Sequence, residues 1–477
     1  MGTLLLHNID TLATFDAQRR RYRNGWILVR DQAIDSLGAS GSEPKQVDAS
    51  LDLTGYVVMP GLINTHHHLF QCLLRNIPKL QDVALFDWLH YLYLLMSEVH
   101  DEDQYVATMV NHAELLLSGC TTNVDHSYVK VNDMKFDTQI EAAKELGIRF
   151  HLARGSFSVG ESLGGLPPDH IIEKEDDILA DTERLIKTHH DYGRYAMTRI
   201  ANAPCSPFSV SEDLMKTSLE LARSLGVNSH THWAESPDDE KYVEEKYGMT
   251  SVELAENWGW VGPDVWYAHG VMMNDHDVEI AGRTKTAIAH CPNSNMYTAA
   301  GACRVRDLIA SGATVGLGVD GSAANNASNM LDEVRNALLL SRVTYGADSL
   351  SATQALELAT IGGARLLQRD DIGSLEPGKA ADIIGIDTRD KLNFAGGVHD
   401  PVAGVVFCAP SGVDLTIVNG KIRVQVGKLV DVDVPDLVCK LNSHASKLVE
   451  RVEKRYGIDL MAPVWRKSYP YDERPAA

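Results

Sequence analysis

From about residue 60 to residue 330 the chain repeats one phrase: an amphipathic segment, a glycine where a helix would stop, then a short apolar run ending in polar residues. The runs are Val57–His68, Thr121–His126, Arg149–Gly155, Arg199–Ser206, Asn228–Glu235, Val265–Gly270, Ala287–Asn293 and Thr314–Gly321. Gly119, Gly147, Gly226 and Gly312 stand as helix stops before four of them. Eight near-continuous apolar strands alternating with helices are buried on both faces and close into a parallel barrel. The alternative, an open doubly wound sheet, would direct attention to a glycine-rich phosphate loop after the first strand. Pro60-Gly61-Leu62-Ile63-Asn64 is followed by histidines instead and contains no G-x-G-x-x-G. The expected class is α/β, a (β/α)8 TIM-like barrel.

Outside that core the pattern changes to short alternating stretches, Leu4–Ala13, Gly25–Leu37 and Val47–Val58 at one end and Asp382–Asp387 and Asp414–Lys421 at the other. These read as half-buried strands of one small β-sandwich built from both chain ends. The expected organisation is a sandwich part over 1–59, the barrel over 60–374, the second sandwich part over 375–434, and a C-terminal helix and looser tail over 435–477, with the helical run at Leu441–Lys454.

Charge narrows the partners. With 44 Lys plus Arg against 65 Asp plus Glu the net charge is −21, a field that repels phosphate backbones, so nucleic acid is not an expected partner. The basic cluster Arg19, Arg20, Arg21 and Arg23 reads as a solvated hairpin tip. Seven scattered cysteines without paired spacing suit reduced thiols. No stretch reaches the ~18 apolar residues of a membrane span and Met1–Asp10 lacks a signal-like pattern, so the expected location is cytoplasmic, with no membrane partner.

Histidines at the ends of buried strands are the strongest chemical signal, because the C-terminal ends of barrel strands face the mouth where such folds place their sites. Strand one ends His66-His67-His68; by the period of two, His66 and His68 share a side and His67 faces the other. Strand five supplies His230, His232 and Glu235, strand six His269, strand seven His290 and strand eight Asp320. Imidazoles with carboxylate help and no cysteine at ligand spacing favour Zn²⁺, with Fe²⁺ or Mn²⁺ next. Such an ion generates hydroxide near neutral pH, which implies hydrolysis. Strict alternation puts Glu235 on the face opposite His230 and His232, so Glu235 reaches the site only if the strand has already turned.

These segments resemble the amidohydrolase superfamily. The likeness rests on Pro60 to His68, His232-Trp233-Ala234-Glu235, Ala268-His269-Gly270, His290-Cys291-Pro292-Asn293-Ser294-Asn295 and Gly318-Val319-Asp320-Gly321-Ser322, in that order, and continues into Gly373 to Asp382. In the mononuclear deaminase and chlorohydrolase branch, the matching positions imply that His66, His68, His232 and Asp320 bind one Zn²⁺ per subunit. Glu235 would shuttle protons, His269 would orient the nucleophile or polarise the substrate, and Asp320 would double as base. His67 and His230 fall to structural roles. Commonly, members of this branch are homo-oligomers.

Within the branch the chain is most similar to the 8-oxoguanine deaminases, on segments such as Leu115 to Thr122, Ala203 to Val210 and Asp320 to Asn326, with Ala324 where that group is expected to carry serine. The implied reaction is hydrolysis of a free oxidised purine, 8-oxoguanine plus water to urate plus ammonia, by metal-bound hydroxide at the amino-bearing carbon. Isoxanthopterin or isocytosine deamination, hydroxy-s-triazine hydrolysis with loss of alkylamine or chloride, and a non-catalytic scaffold are the alternatives. A 2-amino-4-oxo ring edge needs an adjacent donor and acceptor plus a flat wall. Gln71, Trp88 in the loop segment Phe86–Leu89, and Arg154 at the end of strand three are the candidate substrate contacts. Arg154 has a second reading as an ion-pair partner.

Overall fold

The computed structural model describes residues 2–128 and 130–462. The eight runs form a closed barrel of strands Leu62–Asn64, Cys120–Ser127, Arg149–Ser156, Thr198–Pro204, Ser229–Trp233, Val265–His269, Ala287–His290 and Val315–Leu317, called barrel strands one to eight below. Each lies parallel to its neighbours, and strand eight returns to strand one where Leu317 pairs with Asn64. The four glycine stops all adopt left-handed backbone, with φ between 67° and 93°.

One run divides. Val57–His68 reads as continuous in sequence, but Tyr56–Pro60 belongs to the sheet of the chain ends and Leu62–Asn64 to the barrel. Gly61 stands at the crossing, where a Cβ would come 2.2 Å from the Thr121 side chain, so only glycine fits without displacement.

The chain ends pair in one mixed nine-stranded sheet. Tyr56–Pro60 runs parallel to Thr3–Ala13 on one side and antiparallel to Ile383–Asp387 on the other, which joins the N-terminal strands to the C-terminal ones. Leu6, Ile27 and Val58 from one end share a buried core with Ile383 and Ile417 from the other. The expected Gly25–Leu37 strand is a hairpin, Arg21–Arg30 and Ala33–Ala39, turning at Asp31. Three of the four arginines of the cluster are neutralised locally: Arg19 pairs with Glu357, Arg20 with Asp16 and Arg21 with Asp400.

The sheet is fastened to the barrel by a buried ion pair, in which the Arg149 guanidinium of barrel strand three meets the Asp382 carboxylate at 3.1 Å. The C-terminal helix runs over Val434–Tyr456, longer than the expected Leu441–Lys454, and begins with the Asp433 carboxylate accepting from the Asp436 N–H. It docks on the helix Asp101–Leu117, where His444 Nδ1 donates to Asp103 at 2.7 Å. The looser tail expected after it lies, from residue 463 on, outside the described residues. Among the described residues no helix is long and apolar enough to cross a membrane.

Candidate active site

Most of the expected site residues come together at the C-terminal mouth of the barrel, around a cavity of roughly 420 Å³ counted to its opening. His68, His232, Glu235, His269, Ser294 and Asp320 form its polar floor, and Leu85, Trp88, Leu89, Tyr93, Tyr128 and Phe208 form apolar walls.

Backbone carbonyls fix the histidine tautomers. Burial holds the pKa values of His66, His68, His230 and His232 below the ordinary histidine value, so these rings are neutral. His68 Nδ1 donates to the His126 carbonyl at 2.6 Å, His232 Nδ1 to the Cys205 carbonyl at 2.9 Å, and His230 Nδ1 to the Trp266 carbonyl at 3.1 Å. A carbonyl only accepts, so each Nδ1 carries the proton and each Nε2 a lone pair. His230 Nε2 must therefore accept from His66 Nδ1, 2.8 Å away, which leaves a lone pair on His66 Nε2 as well. That atom is buried and has no hydrogen-bond partner among the described residues.

Three lone pairs thus converge with no proton among them. His68 Nε2 and His232 Nε2 face each other at 3.2 Å, and Asp320 Oδ1 lies 3.4 Å from both His66 Nε2 and His68 Nε2. Such a set is mutually repulsive without a cation between its members. Its imidazole and carboxylate donors suit a borderline divalent ion. The Nδ1–H to carbonyl bonds are the outer contacts that orient metal-binding imidazoles.

Three backbone turns deliver the remaining groups. Strand five ends at Trp233 and Ala234 adopts φ 53°, which swings Glu235 onto the cavity despite strict alternation. His269 at φ 75°, the last residue of strand six, and Asp320 at φ 61°, three residues past the end of strand eight, lie in the same left-handed region. Conformations of this kind cost about 1–3 kcal/mol each in residues with a Cβ and collect at functional sites. His269 Nδ1 donates to Asn295 Oδ1 at 3.0 Å, while its Nε2 lies 3.4 Å from Glu235 Oε1 and 3.9 Å from Asp320 Oδ2.

Electrostatics divides the carboxylates. Burial raises the Glu235 pKa to about 6, with the nearby Asp320 charge adding to it and His269 opposing it. Burial also works against the Asp320 charge, but His269, His68, the Ser294 hydroxyl donating at 2.5 Å and the Gly321 N–H together hold its pKa below the ordinary value. The two carboxylates oppose the effect of burial on His269 and pull its pKa up.

The remaining expected residues are distributed differently. Trp88 lines the cavity from a helix, Leu85–Met96, rather than from a loop. Gln71 lies in the 3-10 turn Leu69–Leu74, where its Oε1 accepts from the Ala323 N–H at 3.2 Å, bracing the loop that carries Asp320. Its Nε2 is buried without a hydrogen-bond partner among the described residues. Arg154 points away from the cavity: it pairs with Glu173 at 2.6 Å and Asp181 at 3.4 Å and covers the Phe136 ring, so the structure places it as an ion-pair partner. His67 joins Ser328 at 2.9 Å behind the site, and His230 stacks on Trp266.

Sequence reasoning passed over Tyr128 and His126. Tyr128 lies flat on His68, with ring centroids 3.9 Å apart, and forms part of the cavity wall. His126 lies in the polar end of barrel strand two and Tyr128 directly follows the strand, the same signal that had singled out the histidines of other strands.

A closed (β/α)8 barrel with histidine lone pairs and a carboxylate gathered at its mouth, and a raised-pKa glutamate beside them, defines a metal-dependent hydrolase. The chain belongs to the amidohydrolase family, which it matches over residues 57–423. It is 44% identical to 8-oxoguanine deaminase of Pseudomonas aeruginosa, over 92% of this chain and 98% of that protein. It is 36% identical to hydroxydechloroatrazine ethylaminohydrolase of a Pseudomonas species, over 92% of this chain and 94% of that one. The zinc complex of atrazine chlorohydrolase from Arthrobacter aurescens superposes with a TM-score of 0.88 at 32% identity, covering 93% of this chain and all of that one (100%). The protein is a metal-dependent aminohydrolase of this family.

Proposed function

We propose that the protein hydrolyses 8-oxoguanine to urate and ammonia, with one Zn²⁺ held by His66, His68, His232 and Asp320. For the metal, the carrying observation is the 3.2 Å approach of two imidazole lone pairs beside the Asp320 carboxylate. The substrate reading is supported by the likeness to the Pseudomonas aeruginosa deaminase over 92% of the chain. A divalent ion in such a site supplies Lewis acidity and lowers the pKa of a water to around 7.

The chain's own groups then handle the protons. Asp320 Oδ2, held by Ser294, faces His269 and takes the proton that the attacking water loses. Glu235, with a pKa near 6, is poised close to neutral pH to exchange protons with the ring and with the departing amine. His269, anchored by Asn295, presents Nε2 between the two carboxylates and orients the attacking oxygen. A C–O bond forms at the amino-bearing carbon, the C–N bond breaks, and ammonia leaves. Trp88 supplies an indole face and an unpartnered Nε1–H to the flat ring, whereas Gln71 is not among the residues lining the cavity and braces the Asp320 loop instead.

The test is ammonia release by the purified Zn²⁺-loaded protein on 8-oxoguanine, guanine, isocytosine, isoxanthopterin and a hydroxylated alkylamino-triazine. The expected result is a clear preference for 8-oxoguanine with urate as product. Loss of alkylamine from the triazine, without ammonia from the other compounds, would keep the metal machinery and overturn the substrate.

A further inference from the structure

His126 lies in the polar end of barrel strand two and is completely buried. Neither of its ring nitrogens has a hydrogen-bond partner among the described residues. A neutral imidazole carries one donor and one acceptor, and buried groups of this kind are paired in the great majority of cases. Its nearest ring neighbours are three imidazoles and a phenol: the ring centroid lies 4.7 Å from that of His232, 5.4 Å from those of His68 and His230, and 5.5 Å from that of Tyr128.

Ligand-capable atoms of His68, His126 and His232 lie within 4.8 Å of one another, as do those of His66, His68 and Asp320. The two groups share His68, whose Nδ1 is committed to the His126 carbonyl. Its single lone pair, on Nε2, serves one ion only. The same holds for His232, whose Nδ1 donates to Cys205. Two neighbouring ions would compete for these two lone pairs, so the two groups together have room for one ion at most.

We propose that His126 is a further ligand of that ion, an inference resting on the ligand set given under the proposed function. The His126 backbone is fixed on both sides: its N–H donates to the His67 carbonyl at 2.8 Å and its carbonyl holds His68. A ring nitrogen of His126 already lies within 4.8 Å of the ligand-capable atoms of His68 and His232. His126 is not among the residues lining the cavity, so its ligation leaves the cavity-facing position to water or substrate. One strand end would thus act twice on the metal, through the carbonyl that orients His68 and through its own imidazole.

The experiment is X-ray absorption at the zinc edge of the full-length Zn²⁺-loaded protein, paired with electronic spectra of the Co²⁺-loaded form, for wild type, His126→Phe and His126→Gln. Expected is more imidazole scattering in wild type than His66, His68 and His232 account for. Each variant should lose one imidazole, and its Co²⁺ d–d bands should intensify as the coordination number falls. Identical spectra in wild type and variants, or wild-type scattering from the three other imidazoles alone, would overturn the proposal. His66→Ala separates this failure from that of the underlying site. If it loses zinc while the His126 variants match wild type, only the His126 inference falls. If it keeps stoichiometric zinc, the ligand set falls and the inference with it. Should both His126 variants fail to fold, the wild-type scattering decides alone.

Discussion

Glu235 Oε1 lies 3.4 Å from His269 Nε2, two groups from the ends of adjacent barrel strands, each delivered by a left-handed backbone turn. The contact places a carboxyl of raised pKa beside an imidazole that itself lies 3.9 Å from Asp320. Neither Glu235 nor His269 belongs to the proposed ligand set of His66, His68, His232 and Asp320. Glu235→Gln is therefore expected to keep zinc at wild-type stoichiometry while turnover falls by about 10²-fold or more, the range for removal of a positioned acid–base group. Metal analysis and steady-state rates on one preparation check this; near-normal turnover would remove Glu235 from proton transfer.

His66→Ala and His232→Ala should behave in the opposite way, losing metal first and activity as a consequence, because each removes a lone pair from the converging set. Elemental analysis after dialysis reads the difference, with circular dichroism confirming that the barrel still folds. Full zinc occupancy in both variants would refute the ligand set.

Much of this was legible in sequence because a parallel barrel buries its strands on both faces, and eight apolar runs ending in polar residues leave few other architectures. The split at Gly61 was not, since Tyr56–Pro60 and Leu62–Asn64 are both apolar and burial in two different sheets leaves the same pattern. The helix carrying Trp88 starts at Ala84 without a side-chain cap, so no start signal announced it. Arg154 follows Ala153, which packs inside the barrel with Ala201 and Trp266; alternation sends Arg154 outward to Glu173. Glu235 was ambiguous for a related reason, because the turn at Ala234 that brings it to the cavity breaks the period-two rule and leaves no trace in residue type.

A prediction about stability concerns Arg369 and Asp371, a buried pair whose side chains are 0% and 3% exposed, joined at 2.7 Å. Burial alone would raise the Asp371 pKa, but the Arg369 hydrogen bonds and charge, with the Tyr195 N–H, hold it well below the ordinary value. A carboxylate depressed on folding contributes stability above its unfolded pKa, about 3.9, and loses that contribution as pH falls toward the folded value. Asp371→Asn leaves the guanidinium buried without its counter-charge, so a loss of about 3–5 kcal/mol is expected at pH 7. Urea unfolding of both proteins should show that difference shrinking below about pH 4; a gap that does not narrow in acid would contradict the assignment.

Trp88 yields the sharpest test of substrate placement, because its indole lines the cavity while its Nε1–H is buried with no hydrogen-bond partner among the described residues. A donor left in this state is poorly compensated until a ring carbonyl arrives, and a net hydrogen bond of this kind contributes about 0.5–1.5 kcal/mol. Trp88→Phe keeps an aromatic wall and deletes the donor, so KM for 8-oxoguanine should rise by roughly 2- to 10-fold with kcat nearly unchanged. Trp88→Ala removes the wall too and should raise KM further while lowering kcat, as the ring loses its alignment with Glu235 and His269. If Trp88→Phe leaves KM unchanged while Trp88→Ala raises it, the indole acts as a wall alone and the donor role is lost. If neither variant changes KM, the ring binds elsewhere in the cavity and Trp88 is a packing residue of its helix.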